Sequence, residues 1–152
     1  MSDLIICLKN EVDMFKKWAD ESPGEHGEWE TEYPHWDRLY SAVDQVLAHE
    51  SIDEWNSDVF ESILYTLARD NECENVLQSL IEHPNALIPL AYKAISWDDY
   101  EARWQVAFGL GEIANVDNDE VQALLERFLN DEHEYVRRRA LFALEKRNNE
   151  GQ

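Results

Sequence analysis

Catalysis needs reactive side chains within reach of one another, and this 152-residue chain offers few candidates. Cys7 and Cys73 are far apart, and two thiols make neither a disulfide framework nor a zinc site, which usually takes four ligands. Each lies in an apolar pattern, so both are expected as small buried hydrophobes. The dipeptides His49-Glu50 and His133-Glu134 stand 84 residues apart. One ends a predicted helix and the other begins one, so they share no register and are not expected to hold a metal. There is no Gly-rich phosphate loop, no nucleophile elbow and no His-x-x-x-His pair. Acid pairs such as Asp98/Asp99, Asp117/Asp119 and Glu30/Glu32 are expected by chance among 33 acids. General acid–base work also needs contrasting environments around the two groups. The expectation is no catalytic residue, no metal and no cofactor.

Binding is the better use of the distinctive residues. One cluster runs Glu28-Trp29-Glu30-Thr31-Glu32-Tyr33-Pro34-His35-Trp36-Asp37. A second places Trp97, Tyr100, Trp104 and Phe108 at spacings of three, four and four beside Asp98, Asp99 and Glu101, one stripe along a helix. That stripe lies roughly 100° from Ala102/Val106/Leu110, which should face the core. Rigid rings interleaved with carboxylates suit a cationic protein, the rings as anchors and the acids as partners for Lys and Arg. The candidate contact residues are Glu28, Trp29, Glu30, Glu32, Tyr33, Trp36, Asp37, Trp97, Asp98, Asp99, Tyr100, Glu101 and Trp104. Each cluster has a structural alternative: the first as a flap over the first helix pair, the second as packing against the next helix layer.

Charge narrows the partner. Thirty-three acids against 13 Lys and Arg give −20, spread along the chain rather than collected in a tail. Such a surface repels nucleic acid, whose binding rests on phosphate neutralisation, and anionic membranes. It attracts a basic protein by long-range steering. No apolar run approaches the roughly 18 residues of a membrane helix, and the N-terminus lacks the basic region of a signal peptide. A cytoplasmic protein is expected.

The elements that must position these residues are helices. The chain has four Pro and five Gly, too few for many tight sheet turns. Apolar stripes of helical period recur: Leu4/Ile5/Leu8/Val12/Phe15, then Trp36/Leu39/Tyr40/Val43/Val46/Leu47, then Val59/Ile63/Leu64/Leu67 and Val76/Leu77/Leu80/Ile81. Four more follow: Ala86/Leu87/Leu90/Ala91/Ile95, Ala102/Val106/Leu110/Ile113, Val121/Leu124/Leu125/Phe128 and Val136/Ala140/Leu141/Ala143/Leu144. Caps are expected at Ser2 or Asp3, Ser51 or Asp53, Asp98 or Asp99, and Asp131. Residues 21–34 form a long loop, and Pro34 opens the second helix. About eight helices of roughly 11 to 17 residues result, in a single domain over 1–152, with no credible strand.

The helices repeat. Ala102-Arg103 through Gly111 aligns with Val136-Arg137 through Leu144 at an offset of 34, each after an acidic segment; a weaker copy spans Val59–Ala68. This pattern resembles the HEAT-repeat family in its short, phycobiliprotein-lyase-like form, most clearly over 98–147. The resemblance implies a right-handed all-α solenoid of antiparallel pairs, a scaffold that binds. It also implies that Arg103 and Arg137 are structural, each bracing a neighbouring acid. Gly109 and Gly111 then mark close approaches between stacked helices. Small acidic helical proteins of this kind look like bacterial immunity proteins, including those paired with contact-dependent growth inhibition toxins. The expected partner is therefore a cationic toxin domain such as a nuclease, or another basic protein held by a HEAT-like adaptor. Lyase activity is a weaker implication of the resemblance.

Overall fold

The structure is a computed structural model that describes residues 2–21 and 33–150. Eight α-helices occupy these residues, and among them there is no strand. They are α1 (Asp3–Glu21), α2 (Trp36–His49), α3 (Ser57–Arg69), α4 (Asn75–Ile81), α5 (Pro84–Ala94), α6 (Tyr100–Glu112), α7 (Asn118–Phe128) and α8 (Glu134–Glu150), with a 3-10 turn at Ile52–Glu54. Their lengths run from 7 to 19 residues, a wider range than the stripes alone suggest.

Several starts have a visible chemical cause. Ser2 Oγ accepts the Ile5 N–H, and Asp99 and Asp117 accept N–H groups at the starts of α6 and α7. Three starts differ from expectation, one of them α8, where His133 rather than Asp131 is the cap: its Nδ1 accepts the Tyr135 N–H, while Asp131 accepts that of His133. Ser51 caps the 3-10 turn, while Asn56 caps α3 through the Val59 N–H. Pro34 lies in the turn before α2, and it is Pro84 that occupies a first helical turn, at the head of α5. A short side-chain acceptor satisfies an otherwise orphaned N–H, so any such residue in the right turn will serve.

The helices form two layers. One holds α1, α3, α6 and α8; the other holds α2, α4, α5 and α7. Lys9 pairs with Asp58 and Phe15 with Tyr65, so α1 and α3 run parallel. Arg103 meets Asp131 and Glu112 meets Lys146, so α6 and α8 also run parallel. Between the pairs the direction reverses: Gln105 donates to the Leu67 carbonyl and Arg69 to Asp99. The reversal follows from having two helices, α4 and α5, between α3 and α6 where one separates α1 from α3. The ends of α1 and α3 and the starts of α6 and α8 therefore share one edge of the molecule.

The core between the layers is built from the predicted stripes, including Leu8, Val12, Phe15, Ile63, Leu67, Leu87, Leu90, Leu110, Leu125 and Phe128, all 2% exposed or less. Both cysteines depart from expectation: each is exposed. Cys7 lies off the Ile5/Leu8/Val12 face of α1, and Cys73 falls in the turn between α3 and α4, not in a helix. The two Gly positions lie where helices touch. A Cβ on Gly111 would stand 2.7 Å from the Ala143 Cβ and 2.9 Å from its Cα.

Candidate functional site

The shared edge gathers residues that are distant in sequence. Tyr33 packs edge-on against Phe15 at 4.7 Å between ring centres, and Phe15 against Tyr65 at 5.9 Å. Tyr65 then forms, with Arg69 and residues 96–100, the wall of an open depression of about 660 Å3. Four predicted contact residues line it: Trp97, Asp98, Asp99 and Tyr100. A neighbouring depression of about 390 Å3 shares Ser96, Trp97 and Asp98 with the first. The turn between α5 and α6 is thus a ridge with a hollow on either side.

Local sequence explains the ridge. Asp99 Oδ1 accepts the Glu101 N–H at 2.9 Å and starts α6, while its Oδ2 accepts from Arg69 Nη1 at 3.0 Å. Tyr100 projects from the first turn of α6 and stacks on the His133 ring, 3.9 Å between centres and 4° from parallel. His133 is itself oriented, its Nδ1 accepting the Tyr135 N–H at 3.2 Å. Glu101 accepts the Trp104 indole N–H at 2.9 Å. Burial pushes the Glu101 carboxyl above its usual range, and burial then the nearby Glu101 charge push the Tyr100 hydroxyl up.

The two repeat arginines share one local bond, but only Arg103 also braces an acidic side chain as the resemblance implies; Arg137 bonds a backbone carbonyl instead. Each donates from Nη1 to the carbonyl six residues before it: Arg103 to Trp97 and Arg137 to Asp131, both at 2.7 Å. Arg103 also forks onto Asp131, from Nε at 2.8 Å and Nη2 at 3.2 Å, with the residue only 4% exposed. It therefore holds the ridge from below.

Three expected contact residues need correction. Tyr33, Trp36 and Trp104 are 5%, 7% and 5% exposed, so their rings are used in packing and are not open to a partner. Trp36 lies between Phe15 and Tyr40, at 5.3 and 5.2 Å. Trp104 packs against Tyr135 at 5.3 Å with Arg139 over its face at 5.1 Å. An inner-layer helix is flanked by two neighbours, so it buries a second stripe beyond its core stripe. Asp37 is exposed but lines a different hollow, with Cys7, Glu11 and Arg38. Glu28, Trp29, Glu30 and Glu32 lie outside the described residues.

Sequence reading missed Arg69, considered His133 only within the His133-Glu134 dipeptide, and carried Tyr65 only inside the weaker repeat copy Val59–Ala68. The signal for Arg69 was weak, because it ends a repeat helix outside any aromatic–acid run, whereas His133 stands in Asp131-Glu132-His133-Glu134-Tyr135. The charge distribution is also only partly visible in composition. The described residues between the helices carry twelve acids and no Lys or Arg, so the cations that reach the hollows, Arg69, Arg103 and Arg127, all come from helices. Among the described residues no group of three or more His, Cys, Asp or Glu could hold a metal ion, and no helix is long and apolar enough to cross a membrane.

A family model described as HEAT repeats matches residues 46–145, about two thirds of the chain. The match extends well before the 98–147 stretch where the repeat is clearest by eye. No curated protein and no solved structure matches the chain.

Proposed function

The chain belongs to the HEAT-repeat family, and on that premise we propose that it is a scaffold that binds a cationic protein segment rather than an enzyme. HEAT repeats are protein-interaction scaffolds, and a stacked-helix surface offers an extended face rather than an enclosed reaction chamber. The observation that carries the proposal is the ridge of residues 96–100. Its rings and carboxylates wall two hollows on an edge whose described turns carry acids and no Lys or Arg, with Arg69, Arg103 and Arg127 reaching the hollows from the helices. Trp97 and Tyr100 serve as apolar anchors, and the exposed Asp98 and the rim acids steer and pair with Lys or Arg.

Neutralisation of a cationic toxin is the narrower form of this reading. In it the captured segment belongs to a toxin active site, and occlusion is sufficient for inhibition. The acidity and aromatic content support that form; the family match supports only the broader one.

The test is association kinetics with an arginine- and lysine-rich peptide between about 50 and 500 mM salt. The association rate should fall steeply with salt, since surface charges steer only within a Debye length of about 8 Å at physiological ionic strength. Asp98→Asn should slow association, while Trp97→Ala should speed dissociation. A rate that stays flat across the salt range refutes the cationic partner. Genomic position next to a secreted-toxin gene, followed by pull-down of that toxin, tests the narrower form.

A further inference from the structure

The main depression already contains a cation. Arg69, on the last turn of α3, holds its guanidinium carbon 4.2 Å from the centre of the Tyr65 ring. From Nη1 it donates to Asp99 Oδ2 at 3.0 Å. A ring face on one side and a carboxylate on the other is the chemistry that recognises an arginine side chain presented by another molecule. Asp99 is held independently, because its other oxygen accepts the Glu101 N–H. The carboxylate therefore keeps its place whether or not Arg69 is on it. Trp97, Asp98 and Tyr100 line the remaining wall and leave room beside the guanidinium.

We propose that this depression is an arginine-recognition site that the chain fills with its own Arg69, and that an arginine of the partner enters by displacing it. The proposal rests on the preceding section for the class of partner, and on the Tyr65–Arg69–Asp99 geometry for the site. Displacement is feasible on energetic grounds. The Arg69 and Asp99 side chains are 24% and 31% exposed, so water reaches the pair and breaking it costs less than breaking a fully buried one. Exchanging one guanidinium for another conserves the ring contact and the charge-assisted bond. What the partner must overcome is occupancy: affinity is reduced by the fraction of time the site is self-filled. Arg69 has the further role of tying α3 to α6, but the joint does not depend on it alone, since Gln105 links the same helices through the Leu67 carbonyl at 2.7 Å.

N-acetyl-arginine amide is the probe, titrated into isotope-labelled wild type, Arg69→Gln and Arg69→Lys, with amide and indole resonances followed. Arg69→Gln should show saturable shifts confined to Tyr65 and residues 96–101. Its apparent affinity should be at least about tenfold above wild type, the gain expected if the site is vacant a tenth of the time. N-acetyl-lysine amide should bind more weakly, and Arg69→Lys should fall between wild type and Arg69→Gln. Adding Asp99→Asn, which keeps the helix cap but removes the charge, should abolish the gain. Equal shifts in all three proteins, or a gain that survives Asp99→Asn, overturn the proposal and leave Arg69 a simple tie between helices. An arginine-rich peptide run in parallel separates the two readings. Peptide binding that Arg69→Gln does not tighten removes the placeholder role and keeps the partner class. Amide binding by Arg69→Gln without peptide binding by either protein does the reverse.

Discussion

Replacing Arg103 with Ala isolates the contact that joins the two clearest repeats. Arg103 is 4% exposed, and in the ion pair its side chain and that of Asp131 are 5% and 6% exposed. The guanidinium makes three short bonds, two to the Asp131 carboxylate and one to the Trp97 carbonyl. Truncation leaves the Asp131 carboxylate buried, with the His133 N–H at 2.9 Å as a remaining donor. Breaking a buried ion pair by removing one partner costs about 3–5 kcal/mol, mostly the stranded charge. For a chain of this length that is a fall of about 6–20 °C in melting temperature. Urea denaturation is the suitable assay, because urea leaves ionic contacts unscreened and its slope reports any loss of cooperativity. The double variant Arg103→Ala/Asp131→Asn gives the sharper reading. If the stranded carboxylate is the main cost, the double variant should recover at least about 1 kcal/mol relative to the single, with clear non-additivity. A single-variant loss below about 1 kcal/mol, or additive effects across the cycle, would refute this account of the joint.

Three further outcomes are expected. Gly111→Ala should destabilise by about 1–3 kcal/mol, because the new methyl meets Ala143 backbone and Cβ, whereas Gly109→Ala should be near neutral, since it meets only the side-chain ends of Leu77 and Leu87 at 3.1 and 3.2 Å; urea midpoints separate them. Trp36→Ala and Trp104→Ala should each lose about 3–5 kcal/mol of stability, while Tyr100→Ala should lose little stability and weaken peptide binding, checked by paired unfolding and binding measurements. Burial, and then its bond to the fully buried Asp70, hold the Tyr40 hydroxyl protonated well above the usual tyrosine range. The folded pKa is the raised one, so stability is intact below about pH 10 and falls above it as the unfolded chain ionises first. Tyr40→Phe should flatten that alkaline loss in a pH series of unfolding curves, and should cost about 1–3 kcal/mol at neutral pH by removing a donor to a buried carboxylate.

Much of the fold was readable from residue order alone. Apolar residues at helical spacing locate all eight helices, because a stripe of that period can be buried only by a helix. Ser2 and Asp99 mark starts because a short acceptor satisfies orphan N–H groups locally. The 34-residue offset between Arg103 and Arg137 is visible because each arginine makes its first bond within its own repeat, to a carbonyl six residues back. These are short-range facts, set within a few turns of chain.

The proposed contact surface is a long-range matter. The stripe Trp97/Tyr100/Trp104/Phe108 is continuous in sequence, yet Trp104 is buried against Tyr135 while Tyr100 stays at the surface on His133. Which of them is covered depends on where α8 lies, 30 residues further on. Asp99 reads as a rim charge until α3 delivers Arg69 to it across 30 residues. That meeting depends on direction: with one helix fewer between α3 and α6, the end of α3 would face the opposite end of α6. Periodicity specifies which face of a helix is apolar, but the sense in which neighbouring helices run is decided by how many of them the packing must accommodate. Tertiary structure alone therefore decided which rings and acids remain available to a partner.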